Sequence, residues 1–74
     1  MFKGNGIGKQ LVQYTEEQAR SAGGRLLIVE TSSLYEFEPT RSFYRRCGFE
    51  EAGRIRDYYS KGEAKVIFLK DLAF

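Results

Sequence analysis

The chain has 74 residues, 42% of them hydrophobic and 30% charged. That is the make-up of one small globular domain, of a size that buries only about 60% of its unfolded surface. With no histidine and a single cysteine, Cys47, it has the means for neither an internal disulfide nor a His/Cys metal cluster. A formal charge of +2 is too small to argue for nucleic acid. No run approaches the roughly 20 apolar residues of a membrane span, and Met1-Phe2-Lys3 leads into glycines rather than a signal segment, so the expected location is the cytoplasm.

The first element in chain order is the run Lys3-Gly4-Asn5-Gly6-Ile7-Gly8-Lys9. Glycines at alternate positions let the backbone turn sharply and leave its amides open to a ligand. A helix starting there directs its free N–H groups and positive dipole end at whatever fills the loop, which suits a phosphate or pyrophosphate. A glycine-rich start that binds nothing is an equal alternative at this point. The run is not a Walker loop, which needs glycine where Lys3 stands and Ser or Thr where Gln10 stands. Nor is it a dinucleotide-binding loop, because Lys9 occupies the position of the third glycine.

From Ile7 to Ala22 the apolar residues Ile7, Leu11, Val12, Ala19 and Ala22 recur at helical spacing, with Tyr14 beside them. Gly23-Gly24 supplies the stop. Leu26-Leu27-Ile28-Val29 predicts a short strand buried on both faces, bounded by Thr31-Ser32-Ser33. After a loop over residues 34–37, Pro39 fits the first turn of a second helix, with Glu36 and Glu38 near its positive end. Phe43 and Cys47 share a face of that helix, and Gly48 is its expected left-handed cap. Residues 50–59 alternate loosely, Ser60-Lys61-Gly62 makes a turn, and Val66-Ile67-Phe68-Leu69 returns, so the tail predicts a hairpin. The expected class is α/β, in the order α-β-α-β-β, with a small mixed sheet.

Arg41, Arg45, Arg46, Arg54 and Arg56 crowd one stretch of sequence. They form either a solvated face or a surface attracting a polyanionic small molecule, with Arg45 and Arg46 foremost. Cys47 as a covalent nucleophile would need a base to lower its pKa, and with no histidine it is expected to pack as a small apolar residue.

Two motifs resemble the GNAT acetyltransferase superfamily. Lys-x-x-Gly-x-Gly, from Lys3 to Gly8, is similar to its acyl-CoA pyrophosphate loop, whose usual first residue is Gln or Arg. Ser42-Phe43-Tyr44-Arg45-Arg46-Cys47-Gly48-Phe49 resembles its Phe-Tyr-x-x-x-Gly-Phe signature. The signature follows the loop by the helix and strand that the superfamily places between them, and the likeness runs from Lys3 to about Leu72.

The resemblance implies a partial GNAT-like fold with acetyl-CoA as co-substrate, bound by Lys3, Gly4, Asn5, Gly6, Ile7, Gly8 and Lys9, and no metal. It implies transfer of acetyl to a small or protein amine by direct attack in a ternary complex. Tyr44 would protonate the departing thiolate, as a phenol with a reference pKa near 10 is able to do at neutral pH. The alternatives are a CoA-binding module without catalysis, and a structural or interaction domain.

Counting back from Phe43 puts Thr40 and Phe37 where the family commonly has alanine and a cofactor-holding asparagine; Thr31, Ser32 and Ser33 are the candidate substitutes. Two residues precede Lys3, whereas family members have several strands and helices there. The expectation is therefore the C-terminal half of the domain, with Glu30 as a weak candidate base and Tyr58, Tyr59 and Arg56 as candidates for one edge of the acceptor site. It follows that the strand at residues 26–31, central in the family's sheet, would pair with a second copy or another partner. No membrane or nucleic-acid partner is expected.

Overall fold

A computed structural model describes the backbone of residues 5–72 and the side chains of residues 8–72. The elements run in the expected order: α1 (Asn5–Ser21), β1 (Leu26–Ser32), a 3₁₀ turn (Tyr35–Phe37), α2 (Glu38–Arg46), β2 (Glu50–Ser60) and β3 (Glu63–Asp71). They divide into two compact units, one of residues 5–27 with 71–72 and the other of Ile28–Lys70.

In the first unit, α1 begins two residues earlier than its apolar stripe predicts, so Gly6 and Gly8 lie inside its first turn. The buried positions are Gly8 and Glu16, with Val12, Ala19 and Arg20 half-buried, while Leu11 and Tyr14 are each 61% exposed. Of the predicted stripe, Val12 and Ala19 thus face inward, while Leu11 and Ala22 do not. The helix ends as Gly23-Gly24 predicts. Gly23, at φ 89°, donates to the carbonyl of Arg20, and Gly24 to that of Ala19, which is the Schellman pattern of paired backbone bonds. The end of the described chain returns to this unit. The Leu72 amide donates to the carbonyl of Arg25 at 2.8 Å, and Arg20 Nε donates to the Leu72 carbonyl at 3.3 Å.

In the second unit the strand order is β1-β3-β2. The sheet is antiparallel at both interfaces rather than mixed. The α2 crossover leaves β1 and β2 running the same way, and β3 enters between them in the opposite sense, so no two neighbours are parallel. The strand at residues 26–31 consequently lies at an edge of the described sheet. It is not buried on both faces: exposure alternates along it, and Ile28 is 53% exposed. β3 carries the core through Val66 and Phe68, both fully buried, with Phe49 and Cys47 also inside. β2 and β3 join through Lys61-Gly62, and β2 bulges between Glu51 and Gly53 and again between Ile55 and Ser60. In the second bulge Asp57 takes φ 57°, and its Oδ1 accepts the Gly62 amide at 2.7 Å.

α2 is short, with Pro39 in its first turn as predicted. It ends in a second Schellman motif: Gly48, at φ 94°, donates to the Arg45 carbonyl, and Phe49 to the Tyr44 carbonyl. Lys70 Nζ donates to the Cys47 carbonyl at 2.6 Å, satisfying another carbonyl that the helix end leaves open. A Cβ at residue 48 would stand 3.1 Å from the Lys70 side-chain tip, besides forcing a side chain into left-handed backbone. Gly48→Ala is therefore expected to destabilise the protein by about 1–2 kcal/mol, read as a lower urea midpoint with an unchanged slope. Gly53→Ala, at a position with open space and no positive φ, is the matched control.

Candidate functional site

The glycine-rich loop belongs to the first unit and Tyr44 to the second. Lys3 and Gly4 lie outside the described residues, as do the side chains of Asn5, Gly6 and Ile7. From Asn5 onward the loop forms the first turn of α1. The amides of that turn have no carbonyl one turn earlier within the helix to accept them, and they sit at its positive end. No acidic residue stands in the turn, so nothing there opposes an anion. Gly8 is buried and Lys9 exposed. A segment that is both glycine-rich and a helical first turn suits an anion better than a loop ahead of the helix, because its donors converge along one axis.

Tyr44 is placed by the end of α2. It is third from the cap, and its ring lies 5.5 Å from Phe49, 5.8 Å from Phe68 and 5.8 Å from Phe43. The Tyr44–Phe49 pair is the apolar contact that accompanies a Schellman cap. Tyr44 is only half-buried, and among the described residues its hydroxyl has no hydrogen-bond partner. Ring and hydroxyl are thus held differently: the first is fixed by three aromatic neighbours and the second is left able to donate.

The other candidates separate by what their polar atoms already do. Ser32 Oγ donates to Glu63 at 2.7 Å and accepts the Leu34 amide at 3.1 Å, while Ser33 Oγ accepts the Ala64 amide at 2.9 Å. Both serines tie the end of β1 to neighbouring backbone and β3. Glu30 is held by Lys65 Nζ at 3.1 Å. That contact, with Tyr58 second, raises the Lys65 pKa above its ordinary value, so Glu30 is a salt-bridge partner rather than a free base. Lys65 Nζ also sits 3.8 Å from the centre of the Tyr58 ring, which meets Tyr59 edge-on at 5.1 Å. Cys47 is buried, in keeping with a packing role. Among the described residues no cluster of His, Cys, Asp and Glu is able to hold a metal ion.

The arginine-rich stretch is not one surface. Arg41 is buried, at 5% exposure, and donates to the carbonyls of Ser32 and Leu34 and to Glu38. Arg45 lies between Glu38 at 3.7 Å and Glu51 at 3.8 Å, with its guanidinium over the Phe68 ring. Arg54 forks onto Glu51 at 2.7 and 3.3 Å. Arg56 is almost fully exposed beside Asp57, and Arg46 is exposed with no ion pair among the described residues. Of the pair expected foremost for a polyanion, Arg46 has no ion pair among the described residues, and Arg45, also exposed, already faces two carboxylates. The feature that sequence reading missed is Arg41; the signal was Glu38 one turn before it, which predicts a helical i,i+3 pair.

The same pairing sets the response to acid. The hydrogen bond from Arg41 holds the Glu38 carboxyl below its ordinary value of 4.5, and that from Arg54 does the same for Glu51. A lowered folded-state pKa contributes stability that is complete above the unfolded value and lost as pH falls through the folded one. Melting temperature should therefore fall with acidification below about pH 4.5, and Glu38→Gln with Glu51→Gln should flatten that fall. An equally steep acid limb in the double variant would show the pairs to be inert.

The chain can now be set beside known proteins. A family model described as an acetyltransferase (GNAT) domain matches residues 1–51. An uncharacterized N-acetyltransferase, YsnE, of Bacillus subtilis (strain 168) is 38% identical over 53 residues, covering 72% of this chain and 35% of the relative. The crystal structure of a putative GNAT-family acetyltransferase from Desulfovibrio desulfuricans superposes with a TM-score of 0.90 at 37% identity, over 92% of this chain and 43% of that one. An aminoglycoside 6'-N-acetyltransferase complexed with coenzyme A shares the fold, with a TM-score of 0.86 at 20% identity over 97% of this chain and 53% of that one. The chain thus spans from about a third to just over half of the length of these relatives. On the family match and the B. subtilis relative together, it belongs to the GNAT acetyltransferase family.

Proposed function

We propose that this chain carries the pyrophosphate-binding and proton-donating half of an N-acetyltransferase, and that acetyl passes from acetyl-CoA to an amine by direct attack in a ternary complex. The observation that carries the reading is the first turn of α1: its opening amides lie among glycines, and no acidic residue lies in that turn. There the pyrophosphate of acetyl-CoA would be held by the amides of residues 4–8, with Lys3 and Lys9 adding charge. That a family-fold neighbour was crystallised with coenzyme A supports the choice of ligand.

The chemistry asked of the protein is limited. The amine attacks the thioester carbonyl, the tetrahedral intermediate collapses, and the C–S bond breaks. The leaving thiolate then needs a proton, which the Tyr44 hydroxyl would supply, a transfer worth roughly 10²–10⁴ in rate. Cys47 is buried, which favours direct attack over an acetyl-cysteine intermediate. The acceptor amine would meet parts of the domain that relatives carry outside the matched region. By the same reading the outer edge of β1, unpaired among the described residues, is where another strand pairs, from the rest of a longer chain, a partner or a second copy.

Calorimetric titration with acetyl-CoA tests the loop. Binding is expected, and Gly6→Val, which puts a branched side chain among the donating amides, should weaken it at least tenfold. Equal binding by that variant would remove the basis of the assignment. Tyr44→Phe should bind acetyl-CoA like the parent but lower amine-dependent thioester cleavage by about 10²-fold or more; undiminished cleavage would leave a CoA-binding module whose acid lies elsewhere. Light scattering should show association at high concentration, and a strict monomer would contradict strand pairing between copies.

A further inference from the structure

We propose that Arg41 is a positioning residue for Tyr44: its buried guanidinium sets the placement of α2 and so the direction of the tyrosine hydroxyl. The proposal rests on the reading of Tyr44 as the proton donor.

α2 has nine residues, too few for helix formation alone to define where it lies. Its C-terminal end is fixed by the Schellman cap and by Lys70 on the Cys47 carbonyl. The other half is fixed by Arg41. One guanidinium nitrogen donates to the carbonyl of Ser32, where β1 ends, and to that of Leu34 at 3.0 Å; the other reaches Glu38 Oε1 at 2.9 Å. Those carbonyls are themselves held, because Ser32 is bonded to Glu63 of β3 and to the Leu34 amide. Arg41 therefore ties the first turn of α2 to the end of the sheet, and Tyr44 stands one turn further along the same helix.

A buried charge is retained only where its hydrogen bonds are made. Arginine answers three acceptors at once with a rigid planar fork, which the point charge of lysine does not reproduce. A helix loosened at this end would let the Tyr44 ring shift against its aromatic neighbours and carry the hydroxyl with it, and a displacement of about 1 Å at a reacting group costs on the order of 10²-fold in rate.

The experiment is a cycle of parent, Arg41→Lys, Tyr44→Phe and the double variant, with circular dichroism to verify folding. Arg41→Lys is expected to leave KM for acetyl-CoA within about twofold, because the glycine loop is untouched, and to lower kcat about 10- to 100-fold. In the Tyr44→Phe background the same change should cost less than about twofold, since residues that act as a unit are not additive. A folded Arg41→Lys protein with parental kcat overturns the proposal, as does a loss that multiplies fully with that of Tyr44→Phe. If Tyr44→Phe keeps parental turnover, the donor reading fails and takes this inference with it. Parental kcat in Arg41→Lys beside a crippled Tyr44→Phe sinks the inference alone.

Should Arg41→Lys not fold, Glu38→Gln removes the negative charge opposite Arg41 and leaves both carbonyl bonds. It should lower kcat less, with the same lack of additivity, and an unchanged kcat would again count against the role. A readout that needs no turnover is the fluorine NMR line of 3-fluorotyrosine placed at residue 44. Arg41→Lys or Glu38→Gln should shift or split it, and an unmoved line would show that Arg41 does not govern the ring.

Discussion

The second unit is organised by the way α2 ends. Six residues, Tyr44 to Phe49, close the helix with two backbone hydrogen bonds around a left-handed glycine. The same turn sends the Phe49 ring back onto the Tyr44 ring. The spacing Tyr-x-x-x-Gly-Phe is thus the spacing of a Schellman motif, in which the residue after the glycine must meet the residue third from the cap. Once Phe49 is pinned it enters the core with Phe68 and Val66, and β2 starts immediately after it. Lys70, reaching from β3 to the Cys47 carbonyl, ties the middle strand to the same turn. Helix end, core and sheet are therefore one construction.

This explains why some of the molecule could be read from its residues and some could not. Both helix ends were legible, because glycine at the left-handed position is a local requirement that Gly23 and Gly48 meet wherever the chain goes. The hairpin was legible for a similar reason, with Lys61-Gly62 between alternating strands. The inward face of α1 was legible only in part. Periodicity proposed Ile7, Leu11, Val12, Ala19 and Ala22; Val12 and Ala19 are half-buried, whereas Leu11 is exposed and the buried positions among the described residues are Gly8 and Glu16. A stripe of scattered apolar residues over seventeen positions tolerates rotation by one residue, and only tertiary packing decides it. The burial of β1 was misjudged because a continuous apolar run does not report how many neighbours a strand has.

The arginines show the same limit in electrostatics. Composition counts charges, but a charge acts at long range only if nothing nearby has claimed it. Glu38 and Glu51 claim three of the five, and Arg41 is further spent on the backbone carbonyls of Ser32 and Leu34. What the sequence presents as a basic cluster is in the structure mostly a brace between α2, β2 and the end of β1. The cap within the signature motif remained readable because it is a contiguous segment whose form is carried by backbone geometry. The brace is assembled from residues that only the fold brings together.

A motif that capping explains so fully raises the question of what is left for function. The glycine, the phenylalanine and the aromatic ring at residue 44 are all accounted for by helix termination and core packing. Phenylalanine at residue 44 would make the same three ring contacts and close the same cap. The phenolic oxygen alone is surplus to that account: it lies on a half-buried residue and takes no hydrogen bond among the described residues. A hydroxyl held open on a ring fixed by its neighbours is the condition a proton donor needs: its direction is set in advance and its hydrogen is not already committed. The structural reading of the motif therefore supports the catalytic one, because it isolates the single atom that packing does not require.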